Sequence, residues 1–383
     1  WDAMEGGSLA VGVLTHPSHT GRRAAIRETW AAACIPEGRV LGVAVRLRFI
    51  VGRSSLLTHL PELRSSGDLL VLPAVQESWS VLHKTLAWIR VAMEWRPRWV
   101  ACVDDDAYVR LTLVLSDLLR LAQRNYSRVM YGPLEWFAFD RKTGILGPWG
   151  KNVGHAARSW RAANATARGG GQLTPPFPFL KGPLMVFDAA VSRHLLSGAC
   201  GFPDAYASPM PSHARGRGRV LHDIAIGYHL STCPPAKGVT VLDIGVATPA
   251  WRTTSSKSAP TGGGFLELRP RLDLEVGLAG CLRGVHFGSG PISIKQRECA
   301  GECAPGEALR RCLHVMHAHA RVRPGNVTRL RCSGADTSWF NKSRGLVRNY
   351  TGWSYCHLQK IAFCETGRFL APYHSATKQR MKC

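Results

Sequence analysis

The sequence predicts a layered α/β fold whose ligand binds at the carboxyl ends of the strands. Short runs of apolar, β-favouring residues alternate with longer segments of helical periodicity, which is typical of a sheet covered by helices. One such run, residues 99–103, leads directly into three adjacent carboxylates, Asp104, Asp105 and Asp106. Because open α/β sheets bind ligands where their strands end, the fold class and this acidic triplet indicate the same edge of the sheet.

The first strand is predicted at residues 9–15, before a turn of small and polar residues. The helix that follows is predicted at residues 22–30, with Ser18 or Thr20 as its N-cap. A strand, a small-residue turn and a helix form a corner that suits phosphate, because free N–H groups and guanidinium groups both bind it. Arg22 and Arg27 are the candidate ligands, and the alternative is that both are solvated.

Two more strands and a helix are predicted before the triplet. Residues 45–51 alternate apolar and basic side chains, and residues 68–72 form a short apolar run. Apolar residues recur at helical spacing over residues 80–95, which predicts an amphipathic helix packed on the sheet. This order of elements places Thr15, Gly52 and the acidic triplet along one edge.

Three adjacent carboxylates repel one another and are stabilised by a cation. A cluster of carboxylate oxygens favours a hard divalent ion such as Mg²⁺ or Mn²⁺, and these ions usually serve a substrate that carries phosphate. The alternative is a solvated acidic turn after an ordinary strand.

The charge of the chain indicates an acidic partner. Its 49 Lys and Arg residues against 26 Asp and Glu residues give a net charge of +23. Nucleic acid, an anionic polysaccharide, a lipid surface and a nucleotide-linked substrate all satisfy this. The basic residues are mostly arginines scattered along the chain, which disfavours nucleic acid as the partner.

Cysteines and glycosylation sequons together indicate an oxidising, glycosylating compartment. The chain has twelve cysteines and five Asn-x-Ser/Thr sequons. The sequons begin at Asn125, Asn164, Asn326, Asn341 and Asn349. No apolar run approaches the ~20 residues that a membrane helix needs. A membrane anchor or signal is therefore expected upstream of Trp1.

Several motifs occur in an order that resembles a known enzyme family. They are Arg22-Arg23-x-x-Ile26-Arg27-x-Thr29-Trp30, Phe49-Ile50-Val51-Gly52, Lys84-Thr85, residues 103–109, Tyr131-Gly132, residues 177–183 and residues 222–227. In order and spacing they resemble the β-1,3-galactosyltransferase / N-acetylglucosaminyltransferase family, which is glycosyltransferase family 31-like and includes Fringe-like and core-1 synthase-like branches. The resemblance covers residues 8–295.

The resemblance implies a GT-A type nucleotide-sugar-binding fold with a mixed central sheet, a UDP-sugar donor, Mn²⁺ and inversion at the anomeric carbon. Carried over by position, Asp106 would be the most direct metal ligand, and Asp104 and Asp105 would bond the sugar and ribose. A divalent ion that bridges the phosphates neutralises the charge developing on the UDP leaving group.

The resemblance also implies a general base, Asp223, at the start of a helix. There an aspartate takes the proton from the attacking hydroxyl, and the alternative reading of Asp223 is a helix N-cap. His222 replaces the acidic neighbour that the family usually has. Arg22, Arg27 and Lys84 would help to fix the donor phosphates or the nucleotide corner.

Gly182 and His286 complete the predicted site. The absent side chain of Gly182 lets a backbone approach the donor or acceptor sugar closely. The adjacent Lys181 faces either an acidic group of the substrate or solvent. His286 resembles the histidine metal ligand of the Fringe-like and core-1-like branches, and the alternative is a structural histidine.

The composition changes near residue 296, so residues 1–295 are predicted as the catalytic domain and residues 296–383 as a small Cys-rich module. Seven of the twelve cysteines lie in the last 85 residues. Disulfides are favoured over a zinc site, because the cysteine and histidine spacing fits no finger pattern well.

The leading hypothesis is an inverting, metal-dependent hexosyltransferase that moves galactose or N-acetylglucosamine from a UDP-sugar to a glycan or glycoprotein hydroxyl, in β-1,3 linkage. It is expected in the Golgi membrane with a lumenal catalytic domain, and without a nucleic-acid partner. The alternative is a catalytically inactive GT-A-fold protein that binds acidic polysaccharide in the secretory pathway.

Overall fold

A computed structural model describes residues 7–53, 62, 65–77, 81–123, 125–139, 146–150, 177–203, 221–236 and 239–243, with five further short strands. The strands are β1 Ser8–Leu14, β2 Glu37–Val40, β3 Val43–Gly52, β4 Leu69–Leu72, β5 Trp99–Asp104, β6 Ala107–Val109, β7 Val129–Gly132, β8 Leu134–Phe139, β9 Leu146–Gly150, β10 Phe177–Leu180, β11 Met185–Asp188, β12 Thr240–Asp243, β13 Val246–Ala247, β14 Phe265–Leu268, β15 Ser293–Gln296, β16 Thr328–Ser333 and β17 Ser354–Lys360. The helices are α1 Thr20–Glu28, α2 Val81–Glu94, α3 Leu111–Gln123, α4 Ala189–Leu196 and α5 His222–Thr232.

The main sheet is mixed, as the sequence predicts. Its ten strands follow the order β16-β17-β12-β7-β11-β5-β1-β3-β2, with β4 paired to β3. Strand β1 runs parallel to both β3 and β5, whereas β11 is antiparallel to β5. Leu14 pairs with Ile50 and with Asp104, so β1, β3 and β5 end at one edge. Strand β11 begins at this edge, because Met185 pairs with Cys102.

Helices cover both faces of the main sheet. Successive residues of a strand point to opposite faces. In β1, Leu9, Val11 and Val13 therefore enter a core with α1 and α3, while Ala10 and Leu14 enter a second core with α2, α4 and α5. Burial on both faces explains why the central strands are continuous apolar runs.

Helix α2 lies where its periodicity predicts it and packs tightly on β1. The indole N–H of Trp88 donates a hydrogen bond to the Ala101 carbonyl at 3.0 Å. A Cβ on Gly12 would come within 2.4 Å of the Trp88 ring. The glycine in β1 is therefore what allows this indole to lie against the sheet.

Helix α1 is confirmed, but its predicted N-cap is wrong. The N-cap residue is His19, and its side chain makes no capping hydrogen bond. Thr20 is already the first helical residue, and the Ser18 hydroxyl bonds the His16 ring nitrogen at 2.7 Å instead. The His19 ring is engaged elsewhere, because its Nδ1 bonds Asp105.

Two strands from the predicted Cys-rich module extend the main sheet. Strand β17 runs parallel to β12, and β16 is antiparallel to β17. The domain boundary between residues 295 and 296 stays a prediction. Two smaller sheets have the orders β10-β8-β9 and β13-β14-β15-β6.

One disulfide lies in the predicted catalytic part, whereas the disulfides expected in residues 296–383 stay a prediction. Cys200 and Cys233 are joined, which ties the 3₁₀ turn after α4 to the end of α5. The side chains of the seven C-terminal cysteines lie outside the described residues. Within the described part of the chain, no helix combines the length and apolarity needed to cross a bilayer.

Candidate active site

The acidic triplet lies at the edge where β1, β3 and β5 end. Asp104 is the last residue of β5, and Asp105 and Asp106 form the turn to β6. Asp105 is only 6% exposed, whereas Asp104 and Asp106 are half-buried. The three carboxylates therefore occupy different surroundings.

Asp105 joins the triplet to the corner formed by β1 and α1. Its carboxylate accepts hydrogen bonds from the Thr15 hydroxyl at 2.6 Å, His19 Nδ1 at 2.7 Å and an Arg22 guanidinium nitrogen at 2.5 Å. Burial alone would raise its pKa, but the His19 hydrogen bond, the Arg22 charge and the Thr15 hydroxyl lower that pKa to about 2. The chain itself thus engages both oxygens of the middle carboxylate.

The other predicted arginine, Arg27, lies in an ion-pair cluster behind this corner. Its guanidinium bonds both Asp68 oxygens at 2.8 Å and one Glu62 oxygen at 2.8 Å. The fully buried Arg23 bonds Glu62 as well as the carbonyls of residues 16 and 17. The cluster therefore fixes the turn that carries His19. Arg27 makes no described hydrogen bond to the acidic triplet.

Lys84 also supports the corner through the chain's own groups. Its ammonium forms an ion pair with Glu77 and donates a hydrogen bond to the Thr15 carbonyl at 3.0 Å. Glu77 in turn accepts a hydrogen bond from the backbone N–H of Gly52. Lys84 and Glu77 therefore connect the ends of β1 and β3.

Gly182 brings the triplet and the predicted base together. Its backbone N–H donates a hydrogen bond to Asp223 Oδ2 at 3.3 Å. A Cβ on Gly182 would lie 2.9 Å and 3.0 Å from the two carboxylate oxygens of Asp104. Asp104 and Asp223 are 119 positions apart in the sequence, yet the N–H of Gly182 bonds Asp223 and the space where a Cβ of Gly182 would lie adjoins the Asp104 carboxylate.

Asp223 lies in the first turn of α5 but is not its N-cap. The N-cap is Leu221, and Asp223 is the second helical residue. Asp223 Oδ1 accepts a hydrogen bond from the N–H of Ile224 at 2.8 Å, while Oδ2 faces Gly182. Two backbone groups therefore orient this half-buried carboxylate. The N-cap alternative for Asp223 is wrong.

Lys181 precedes Gly182 and pairs with a buried acid. Its ammonium lies 3.3 Å from an oxygen of Glu135, which is 1% exposed. The N–H of Lys181 also donates to the Pro133 carbonyl at 2.9 Å. These contacts attach the Gly182 turn to the segment that follows β7, so the structure favours an anchoring role for Lys181.

Sequence reasoning placed Thr15 at this edge but missed its bond to Asp105. It also missed three residues: His19 as a partner of Asp105, Glu77 as the partner of Lys84 and Glu135 as the partner of Lys181. The positions of Thr15 and His19 at a strand end and in the following turn are a usable signal. The two glutamates carry no local signal, because their partners come from other elements.

The donor chemistry of the edge fits a hard divalent ion. Asp104 and Asp106 supply carboxylate oxygens, which Mg²⁺ and Mn²⁺ prefer. Asp105 has both oxygens engaged by Thr15, His19 and Arg22, so the ion's protein ligands would come from its two neighbours. The third predicted ligand, His286, lies outside the described residues.

A second cluster of potential metal ligands lies at the end of α5. Ligand atoms of His194, His229 and Cys233 lie within 4.8 Å of one another. Cys233 is bonded to Cys200, so no thiolate is available there while the disulfide is intact. This cluster is therefore not a metal site while the disulfide is intact, and the metal site at the acidic edge stays a prediction.

The fold and this edge define an α/β protein with a candidate site for a metal ion and a phosphate-bearing ligand. Residues 21–136 match the family described as Galactosyltransferase. Beta-1,3-galactosyltransferase 6 of Mus musculus is 34% identical over 133 residues, which are 32% of this chain and 39% of the relative. "Probable beta-1,3-galactosyltransferase 13" of Arabidopsis thaliana is 33% identical over 130 residues, which are 32% of this chain and 37% of the relative.

Residues 21–136 are thus similar to the galactosyltransferase family, in agreement with the resemblance of the motifs in that part of the chain. The matched segment contains the β1–α1 corner, Lys84 and the acidic triplet, while Gly182 and Asp223 lie beyond it. The chain spans well under half the length of each of these two relatives.

Proposed function

We propose that the chain is an inverting, metal-dependent hexosyltransferase with a GT-A type fold. It transfers a sugar, galactose or N-acetylglucosamine, from a UDP-sugar to a hydroxyl of a glycan or glycoprotein, in β-1,3 linkage. The observation that carries this proposal is that Gly182 bonds Asp223 through its N–H, while the place of its missing Cβ adjoins the Asp104 carboxylate. The names of the two relatives support galactose and the β-1,3 linkage.

On the acceptor side, Asp223 acts as the general base. The acceptor hydroxyl oxygen attacks the anomeric carbon, the bond from that carbon to the phosphate oxygen breaks, and UDP leaves. The hydroxyl proton passes to Asp223, and attack opposite the leaving group inverts the anomeric carbon. The N–H groups of Gly182 and Ile224 hold the carboxylate in one orientation, so little reorganisation is needed during proton transfer.

On the donor side, Asp104 and Asp106 would hold Mn²⁺, and His286 would be a further ligand. When bound, the ion supplies positive charge to the diphosphate leaving group. The Asp104 carboxylate also adjoins the place of the missing Gly182 Cβ, so the carboxylate that would hold the metal also limits the space beside the base. A side chain at position 182 would compete with Asp104 for that space.

The corner of β1 and α1 binds the donor's nucleotide and phosphates. Asp105 fixes His19 and Arg22 at this corner rather than contacting the ribose itself. Lys84 and Arg27 support this corner indirectly, because their charges are paired with Glu77, Asp68 and Glu62. The net charge of +23 also favours an anionic donor. The proposed location is the Golgi lumen, behind a membrane anchor in type II topology.

A screen of UDP-sugars tests this proposal. UDP release is measured with Mn²⁺ and with a chelator, for the wild-type chain, Asp106→Asn and the surface control Glu94→Gln, an exposed residue at the end of α2. The proposal expects metal-dependent UDP release from at least one sugar, its loss in Asp106→Asn and its retention in Glu94→Gln.

Two binding measurements address the inactive alternative, namely calorimetry with UDP-sugars and chromatography on a sulfated polysaccharide column. Binding of no UDP-sugar, together with salt-sensitive retention on a sulfated polysaccharide column, would overturn the transferase and favour a polysaccharide-binding protein. Metal-dependent release that is equally strong in Asp106→Asn would instead reject the assigned metal ligand.

A further inference from the structure

The chain reverses sharply after helix α3 through a tight cap that ends in a sequon. The N–H of Tyr126 bonds the Leu121 carbonyl at 3.1 Å, and the N–H of Asn125 bonds the Ala122 carbonyl at 3.0 Å. These two bonds, with a φ of 55° at Asn125, form a Schellman motif in which Asn125 is the left-handed C′ residue. The backbone of Asn125 is therefore held in one conformation.

The side chains of this cap point in two directions. Tyr126 is partly buried and packs against the core that contains α3. Asn125 and Ser127, the first and third residues of the sequon, are both exposed. The cap therefore holds the acceptor amide and the serine hydroxyl in solvent, anchored by the tyrosine between them.

The cap lies at the edge of the sheet opposite the acidic triplet. Strand β7 follows the cap and runs in the direction of β5, because both are antiparallel to β11. Phe187 of β11 pairs with Met130 on one side and Val100 on the other, so the start of β7 lies level with the start of β5. Val100 is four residues from Asp104, a separation of about 13 Å along the strand, and Asn125 lies beyond the opposite end.

We propose that Asn125 is an N-glycosylation site. The carboxamide nitrogen of Asn125 forms a bond to the anomeric carbon of an oligosaccharide carried on a lipid diphosphate. The bond from that carbon to the phosphate oxygen breaks, the lipid diphosphate leaves and the amide loses one proton. Ser127 completes the acceptor sequence, and the attached glycan extends from the edge opposite the active site.

The test uses the full chain secreted from cells that N-glycosylate, with four variants. Asn125→Gly removes the acceptor and keeps a residue suited to the left-handed cap. Ser127→Ala removes the sequon but keeps Asn125, whereas Ser127→Thr keeps the sequon. Asn164→Gln changes a different sequon and serves as the control for unrelated glycans.

Glycan occupancy is read by digesting the protein with a protease that cleaves before aspartate, inactivating the protease, and then treating the peptides with peptide N-glycosidase in heavy-oxygen water. Cleavage before Asp117 and Asp140 releases residues 117–139, which contain only the Asn125 sequon. The proposal expects heavy-oxygen label on this peptide in the wild type, Ser127→Thr and Asn164→Gln. It expects complete loss of the label in Asn125→Gly and Ser127→Ala.

An unlabelled wild-type peptide would overturn the proposal, whether or not the other four sequons carry glycan. Sugar transfer provides a separate readout, because the site lies at the opposite edge. Asn125→Gly and Ser127→Ala are expected to keep wild-type kcat/KM, and a ten-fold loss in both would contradict the placement of the glycan away from the acidic edge.

Discussion

Substitution of alanine for Gly182 gives a sharp test of how the two carboxylate sites are joined. The added Cβ would lie 2.9 Å and 3.0 Å from the Asp104 oxygens, whereas ordinary contacts begin at 3.4 Å. The Asp104 carboxylate must therefore retreat by about 0.5 Å. A misplacement of about 1 Å can cost ~100-fold in rate, so we expect kcat/KM to fall roughly ten-fold, or about 1.4 kcal/mol of transition-state stabilisation.

Stability separates this effect from misfolding. Gly182 does not occupy the positive-φ region, so alanine is compatible with its backbone conformation. We expect the free energy of unfolding to change by less than about 1 kcal/mol. A urea titration measures this, alongside initial rates of UDP release over a range of Mn²⁺ and donor concentrations.

Gly21→Ala provides the matched control. Gly21 lies in α1, has no positive φ, and a Cβ there would meet no atom within 4 Å. This variant is expected to keep wild-type kcat/KM. A folded Gly182→Ala enzyme with wild-type kcat/KM and an unchanged Mn²⁺ requirement would refute the proposed coupling through Gly182.

Three further predictions concern stability. The Cys200–Cys233 disulfide spans 33 residues, so replacing both cysteines with alanine should lower the free energy of unfolding by about 4 kcal/mol in urea; an unchanged midpoint would contradict this. Burial and a neighbouring histidine lower the pKa of His229 from 6.5 to about 4. The contribution of His229 to the free energy of unfolding is therefore complete above pH 6.5 and falls on acidification, by about 2 kcal/mol between pH 7 and pH 5. In thermal melts, His229→Phe should flatten this pH dependence. Lys181→Met should cost about 2 to 3 kcal/mol because it removes the cation beside buried Glu135, and Glu135→Gln should recover part of that loss; an equal loss in both backgrounds would show that the pair is not coupled.

The sequence predicts the sheet well because its central strands are buried on both faces. Continuous apolar runs in β1, β3 and β5 leave few alternative structures, and β3 and β5 end in Gly52 and Asp104, which suit a turn and a site. The edge position of the acidic triplet follows from this pattern. Strand boundaries differ from the prediction by only one or two residues at most ends.

The division of roles within the triplet is not predictable from the local sequence. Three identical side chains in a row give no indication of which one is buried. Asp105 differs from its neighbours because its carboxylate accepts hydrogen bonds from Thr15, His19 and Arg22, which lie 83 to 90 positions earlier in the chain. Such contacts depend on how β1 and α1 pack beside β5, so they emerge only once the chain is folded.

The basic residues illustrate the same limit. Lys84 and Arg27 are reasonable phosphate ligands by residue type, and Lys181 is a reasonable contact for an acidic substrate. In the structure each has a buried or half-buried acidic partner, namely Glu77, Asp68 and Glu135. A charge beside a candidate site therefore identifies a ligand only when its partners within the chain are also known.

The most direct test of the converging acidic sites is a comparison of donor binding with sugar transfer in Asp223→Asn. Calorimetry with UDP and Mn²⁺ measures binding, and single-turnover transfer to an acceptor measures chemistry. Because asparagine keeps the shape of the side chain but cannot take the proton, we predict unchanged UDP affinity and a loss of transfer of about 10³-fold. Transfer at the wild-type rate by this variant would contradict the account.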